Sequence, residues 1–147
     1  MFNDEAIISS TSGGNNFYLL FSIMEYEGIP ILFVARDDFN ELYLCDCVEF
    51  REFQRWTISK VTLQTIKQII DKELTVFEAL KRDDDMKVIA TYDYTSGETT
   101  QEKVAFTNIP LEDLPEEGAY AYFILPEAYE NLNLKLPKVR IIHDFTP

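Results

Sequence analysis

The sequence predicts an α+β fold, in which a twisted antiparallel β-meander carries two short helices on one face. Three patterns predict it: apolar segments with short turns over residues 17–58, helical periodicity after residue 60, and a further hairpin after residue 86. The chain has 147 residues, 46% of them hydrophobic and 14% aromatic, which suits one domain with a substantial core. We therefore expect a single domain over residues 1–147, in which residues 1–16 form a flexible arm or a loop after a short first strand.

Short turn signals separate the predicted strands, and their close spacing favours an antiparallel meander. Glu27-Gly28 is one such turn, and Pro30 opens the strand after it. The predicted strands are Phe17–Tyr26, Ile31–Ala35, Glu41–Phe50, Arg55–Ile58, Lys87–Tyr94 and Glu102–Phe106, with Tyr120–Leu125 and Val139–Ile142 as further candidates.

Two short helices are predicted after the fourth strand, where the apolar spacing changes from two residues to three and four. The apolar residues at helical spacing are Leu63, Ile66, Ile69 and Ile70. Thr62 is a candidate N-cap for this helix. Thr75-Val76-Phe77-Glu78 matches a capping box, so a second helix begins there and ends near Asp83–Asp85.

The cysteines and the apolar segments indicate a location for the protein. Cys45 and Cys47 lie two apart on one strand, share a face and are poorly placed to form a disulfide, which favours a reducing compartment. The N-terminus is acidic and lacks the basic region of a signal peptide. Phe17–Met24 and Ile29–Ala35 fall far short of the roughly 20 residues that span a bilayer. We expect a cytoplasmic protein that does not bind membranes.

Motifs for catalysis and cofactor binding are absent from the sequence. His143 is the only histidine, four residues from the end, and there is no nucleophile elbow or glycine-rich phosphate loop. Cys45-Asp46-Cys47 lacks the ligand spacing of a zinc site. Asp83–Asp85 is the best metal candidate, but adjacent carboxylates rarely converge on one ion. The sequence therefore predicts no enzyme, no catalytic residue, no metal and no cofactor.

Charge is the most informative feature for function. Asp and Glu number 26 against 13 Lys and Arg, for a net charge of -13. Basic residues are absent from Met1 to Ala35 and again from Val104 to Leu134. Direct nucleic-acid binding is disfavoured, because it needs cations to neutralise phosphates. Arg51 and Arg55 form only a small basic group beside aromatic residues.

Two acidic stretches are candidate partner-binding sites, Asp83–Asp85 and the acidic part of Leu111–Asn131, where tyrosines are interleaved with carboxylates. Carboxylates around exposed tyrosines suit a basic protein partner, since charge steers the encounter and tyrosine supplies rigid contact area. The predicted partner-binding residues are Asp83, Asp84, Asp85, Glu112, Asp113, Glu116, Glu117, Tyr120 and Tyr122.

The segment from Phe17 to Arg82 resembles a small uncharacterised bacterial and phage domain family. The similarity rests on the segments Gly28-Ile29-Pro30-Ile31-Leu32-Phe33-Val34, Tyr43-Leu44-Cys45, Trp56-x-Ile58-Ser59 and Leu74-Thr75. These are mainly core and turn positions, and the family has no assigned activity that would pass to particular residues. The resemblance implies a bacterial or phage origin and an accessory role.

The leading hypothesis is a non-enzymatic module that binds a basic partner, such as a toxin, a nuclease or a component of a phage defence or anti-defence complex. A first alternative is a small enzyme that depends on carboxylates or a metal. A second is a structural subunit that self-associates through a sheet edge, since the sequence leaves the oligomeric state open.

Overall fold

The computed structural model describes residues 5–10 and 13–136. Its sheet has six strands in the order of the sequence, each antiparallel to its neighbours, which confirms the predicted α+β meander. The strands are β1 Tyr18–Tyr26, β2 Ile29–Arg36, β3 Leu42–Glu49, β4 Gln54–Lys60, β5 Met86–Tyr92 and β6 Thr99–Ala105. The predicted strand Val139–Ile142 and His143 lie outside the described residues.

The two predicted helices are present, and each begins at the predicted cap. Helix α1 spans Leu63–Ile70, and Thr62 accepts a hydrogen bond from the Thr65 backbone N–H at 3.2 Å. Helix α2 spans Val76–Arg82 behind the complete capping box of Thr75 and Glu78. A third helix, α3 (Pro126–Asn131), was not predicted, and it begins at a proline whose fixed φ suits the first helical position.

The three helices lie on one face of the sheet and enclose the larger apolar cluster. Its buried strand residues are Phe21, Ile23, Leu32, Val34 and Leu44, and its buried helix residues include Ile66, Ile69, Val76, Leu80, Ala128 and Tyr129. Helices this short are marginal alone, so burial of their apolar faces against the sheet stabilises them.

The opposite face of the sheet is also buried. Phe33, Cys45 and Trp56 belong to a second apolar cluster, together with Ile8 and Phe17 from the N-terminal segment. The segment is tied across this face, because the Gln101 side chain donates to the Asn15 carbonyl at 2.6 Å and accepts from the Asn15 N–H at 3.1 Å. Burial on both faces explains the continuous apolar run of β2, in which Leu32 to Ala35 are all buried.

The predicted strand Tyr120–Leu125 is wrong. The segment forms one backbone hydrogen bond to β1, from the Leu125 N–H to the Ile23 carbonyl at 2.9 Å, and joins no strand ladder within the described residues. Phe123 has a φ of 48°, which breaks the extended conformation. The aromatic and aliphatic residues of this segment are of the types that strands favour, but Pro126 then starts α3.

Candidate partner-binding cleft

A cleft of about 250 Å³ opens on the helix-bearing face, between the first three strands, the start of α2 and the chain before α3. It is lined by Met24, Ile31, Leu32, Asp46, Cys47, Val76, Pro115, Glu116, Ala119, Tyr120, Ala121 and Tyr122. The Val76 N–H donates to the Ala119 carbonyl at 3.3 Å and so fixes the later segment against α2. Most of the wall is apolar, with the two carboxylates and two phenols as its principal polar side chains.

The cleft joins the two stretches of the sequence that lack basic residues. Met24, Ile31 and Leu32 come from the first of them, and 115–122 comes from the second. The two stretches supply most of the wall. Carboxylates on either stretch have no lysine or arginine near them in the sequence. The exposed carboxylates they carry on the described surface include Glu25, Glu27, Glu112, Glu116, Glu117 and Glu130.

Asp46 is the least expected member of the cleft. It follows Leu42 and Leu44 on the helix-bearing face of β3, at a position where the alternation of the strand calls for an apolar side chain. Leu32 and Thr57 lie opposite Asp46 on the two neighbouring strands. The Asp46 carboxylate forms no hydrogen bond or ion pair with any residue in the described part of the chain. Burial without a partner raises the pKa of Asp46 to about 7.

The neighbouring cysteines are not activated as nucleophiles. Burial, followed by the Asp46 charge, raises the pKa of Cys47 to about 11, and the same two causes raise the pKa of Cys45. Both remain free thiols, which agrees with the prediction that they do not pair. A protonated thiol is a poor nucleophile, so neither side chain supplies covalent chemistry in this environment.

Half of the acidic and tyrosine residues predicted in the second acidic stretch line the cleft. Glu116, Tyr120 and Tyr122 line it, and the two tyrosines are 47% and 57% exposed. Glu112 and Glu117 are exposed nearby in sequence. Three of the predicted residues therefore line one cleft, although the segment is not a strand.

Asp113 differs from the other predicted residues because it is 8% exposed. Its carboxylate lies 3.3 Å from the Arg55 guanidinium, and its carbonyl accepts a hydrogen bond from the Thr57 hydroxyl at 2.5 Å. The Arg55 guanidinium also lies over the ring of Phe53, at 4.6 Å from its centroid. Asp113 thus holds the acidic segment onto β4.

A second hollow of about 270 Å³ adjoins the cleft and shares Met24, Ile31 and Tyr122 with it. Tyr26 and Phe123 complete its apolar lining, and Phe123 is 90% exposed. The rings of Tyr122 and Phe123 pack edge to face with centroids 5.5 Å apart. Sequence reasoning missed Phe123, because a strand would have placed it in the core.

The other predicted stretch, Asp83–Asp85, lies at the opposite end of α2. Asp83 accepts a hydrogen bond from the Thr65 hydroxyl at 2.7 Å, which joins α1 to α2. Asp84 accepts from the Met86 backbone N–H at 3.1 Å. Since α2 has seven residues, about 10 Å of helix separates this triplet from the cleft.

A buried lysine accounts for the unusual position of the acidic triplet. Lys87 is 1% exposed, and its ammonium donates a hydrogen bond to the Ser59 hydroxyl at 2.9 Å. Burial lowers the pKa of Lys87, and the charges of Asp84, Asp83 and Asp85 oppose that effect. An acidic run disfavours the C-terminal end of a helix, but here it offsets a buried cation.

The Ser59–Lys87 pair was not found from sequence, although a lysine within an apolar strand was a visible signal. The Ser59 hydroxyl is fully buried and lies 3.5 Å from the Leu80 carbonyl. A serine–lysine pair performs nucleophilic catalysis only where substrate reaches the hydroxyl. The closed environment of Ser59 therefore indicates a structural role.

Comparison with protein-family models, curated proteins and solved structures finds no match to the chain. The resemblance of residues 17–82 to a bacterial and phage family stays a prediction. No helix within residues 5–10 and 13–136 is long and apolar enough to cross a lipid bilayer. Over the same ranges, no three His, Cys, Asp or Glu side chains are grouped to hold a metal ion.

Proposed function

We propose that this protein binds a basic partner protein through the surface around the Asp46 cleft. The observation that carries the proposal is that the two cation-free stretches meet there. Residues far apart in sequence thereby form a surface with carboxylates at its edge, exposed tyrosines within it and an apolar cleft between them.

Each component of this surface has a physical role in binding. The net charge of -13 and the exposed carboxylates attract a cationic protein and speed its association. Tyr120, Tyr122 and Phe123 provide large, rigid contact areas of the kind that dominate binding energy at interfaces. The apolar cleft and the adjoining hollow then offer pockets for side chains of the partner.

The class of partner follows from the charge. Proteins that act on nucleic acids carry lysine and arginine at their phosphate-binding sites. A surface of carboxylates can occupy such a site, as nucleic acid would. We propose a toxin, a nuclease or a component of a phage defence or anti-defence system as the partner, with the present chain as its inhibitor or accessory subunit.

The proposal is tested by reversing charge at the cleft. The immobilised protein captures basic proteins from a bacterial lysate, and the affinity of the purified partner is measured at 50 and 300 mM salt. The combined substitution Glu112→Lys, Glu116→Lys and Glu117→Lys is expected to weaken binding at least 100-fold, because attraction becomes repulsion. Wild-type affinity should fall as salt rises.

A matched control carries the same change in net charge elsewhere. Glu5, Glu98 and Glu102 are exposed on the N-terminal segment and the β5–β6 hairpin, outside the set of residues that line the cleft. Reversing these three should weaken binding less than tenfold. Equal losses in both triple variants, or binding that responds to neither salt nor cleft reversal, would contradict a specific acidic surface.

Asp46 favours a second candidate function, a small carboxylate-dependent enzyme. A half-buried carboxyl group with a pKa near 7 is suited to general acid or base catalysis. Thermal shift with Mg²⁺, Mn²⁺ and Ca²⁺ separates the metal-dependent form of this candidate from the binding module. The candidate predicts stabilisation that Asp46→Asn abolishes, whereas the binding module predicts no ion-specific shift.

A further inference from the structure

We infer that the Asp46 cleft holds one arginine or lysine side chain of the basic partner, with its charged head on the Asp46 carboxylate. This inference rests on the proposed function and identifies the partner side chain that binds in the cleft. The cleft measures about 250 Å³, below the roughly 300–1,000 Å³ of pockets for drug-sized ligands, so a single side chain suits its size.

The lining matches both parts of such a side chain. Arginine and lysine have an apolar stem and a charged head. Met24, Ile31 and Val76 offer apolar contacts for the stem. The guanidinium of arginine also stacks on aromatic rings, which Tyr120 and Tyr122 supply in the same cleft.

The unpaired carboxylate indicates that the occupant carries positive charge. Asp46 has no hydrogen-bonding partner among the described residues, so its ionisation in the free protein is opposed by burial alone. A bound cation would restore the ionised form and release a proton near neutral pH. Affinity should therefore rise with pH up to about 7, by as much as tenfold per pH unit, and level off above it.

Other titratable groups also face the cleft. These are Glu116, Tyr120, Tyr122 and Cys47. Asp46→Asn removes the one carboxyl group assigned to the occupant and keeps the shape of the side chain. Any dependence on pH that survives in this variant belongs to the other groups.

The test uses a blocked arginine residue as the probe. Nα-acetyl-arginine N-methylamide and its neutral citrulline counterpart are titrated into protein carrying ¹³C-methyl methionine, and binding is followed by NMR. Met24 lines the cleft, whereas Met86 lies at the start of β5 and reports non-specific attraction. Asp46→Asn is measured in parallel, and Glu98→Gln serves as a control for the loss of one exposed charge.

The expected result is a saturable shift of the Met24 methyl, with the arginine probe binding about tenfold more tightly than citrulline, as for a charge-assisted contact. Asp46→Asn should remove that preference, and Glu98→Gln should keep it. No Met24 shift, or an equal response to both probes, would overturn the inference. So would a preference for arginine that Asp46→Asn leaves intact.

Two further outcomes separate this inference from the proposed function. Charge reversal at the cleft could abolish capture of the basic partner while the arginine probe leaves the Met24 methyl signal unchanged. In that case the proposed function stands, and the assignment of an arginine or lysine side chain to the cleft is wrong. If agmatine, a free guanidinium compound, binds at least tenfold more tightly than the blocked residue, the occupant is a small molecule. That result overturns the inference as stated.

Discussion

The two ends of α2 lie beside two acidic sites whose carboxylates have different surroundings. At the C-terminal end, Asp83 is bonded to Thr65 and the triplet offsets the buried charge of Lys87. At the N-terminal end, Asp46 lies in a cleft with no partner from the described residues, and Glu116 lines the same cleft. Asp83 and Asp84 bond the protein's own groups, whereas the Asp46 and Glu116 carboxylates form no such bond to the described residues.

This difference supports the proposal of a binding surface at the cleft. Carboxylates that accept hydrogen bonds from the protein's own groups stabilise the fold. A half-buried carboxylate without a protein partner costs stability, and perturbed carboxyl groups of this kind are common at functional sites. The acidic triplet, predicted as part of the binding surface, has a structural explanation of its own.

The largest expected effect comes from loosening the helix that separates the two sites. Leu80 is fully buried in α2, and Leu80→Ala should lower the free energy of unfolding by about 3 kcal/mol, since a cavity remains under the helix. Urea denaturation measures the loss. Lys81→Ala, an exposed change one residue later, should stay within about 0.5 kcal/mol. A loss as small for Leu80→Ala would mean that α2 is not anchored on the sheet.

The next effect has the opposite sign. Asp46→Asn should raise the free energy of unfolding at pH 8 by roughly 2 kcal/mol, because each unit of pKa displacement corresponds to about 1.4 kcal/mol and water at the cleft offsets part of it. Denaturation at pH 4 and pH 8 measures the change.

The sign follows from proton binding by Asp46. Its pKa is about 7 in the folded protein against an ordinary 3.8, so folded chains hold a proton that unfolded chains have lost between these values. The contribution of Asp46 to stability is therefore present below pH 4, falls as pH rises to 7 and is flat above it. The advantage of Asp46→Asn should vanish at pH 4. A variant less stable than wild type at pH 8 would show that Asp46 has a stabilising partner.

Local signals in the sequence predicted much of the fold. The caps at Thr62 and Thr75 mark helix starts because their hydroxyls bond residues three positions away. Alternation and short turns likewise located the six strands of the meander. Helix α3 was missed because its six residues carry no periodic pattern, and the segment before it is rich in the aromatic and aliphatic residues that strands favour.

The candidate site was only partly predictable. The two cation-free stretches are visible in the sequence, but their meeting depends on tertiary packing between β1 and the chain before α3. Asp46 was visible in the sequence as a carboxylate on the apolar face of a strand. Its raised pKa depends on burial and on the lack of a partner, which only the structure reveals. Asp113 was predicted as exposed with its neighbours, and only the structure reveals its ion pair with Arg55.

A smaller effect compares one carboxylate from each site. Asp83→Ala should lower the free energy of unfolding by about 1–2 kcal/mol, because the buried Thr65 hydroxyl loses an acceptor. Glu116→Ala, an exposed change at the cleft, should stay within about 0.5 kcal/mol. A double-mutant cycle with Thr65→Val assigns the loss to the Asp83–Thr65 bond. Equal losses for the two acidic variants would remove the distinction between the sites.

The smallest effect tests whether the N-terminal end of α2 supports the cleft. Thr75→Ala removes the hydroxyl that accepts the Glu78 N–H at 3.1 Å, and should cost about 1 kcal/mol in urea denaturation. The next residue, Val76, lines the cleft and donates a hydrogen bond to Ala119. Fraying of the helix there should therefore also weaken binding of the arginine probe, as measured at the Met24 methyl. Thr62→Ala removes the equivalent cap of α1, which contributes no residue to the cleft, and should cost similar stability without changing probe affinity. If both cap variants weaken the probe equally, the cleft responds to global stability and not to the end of α2.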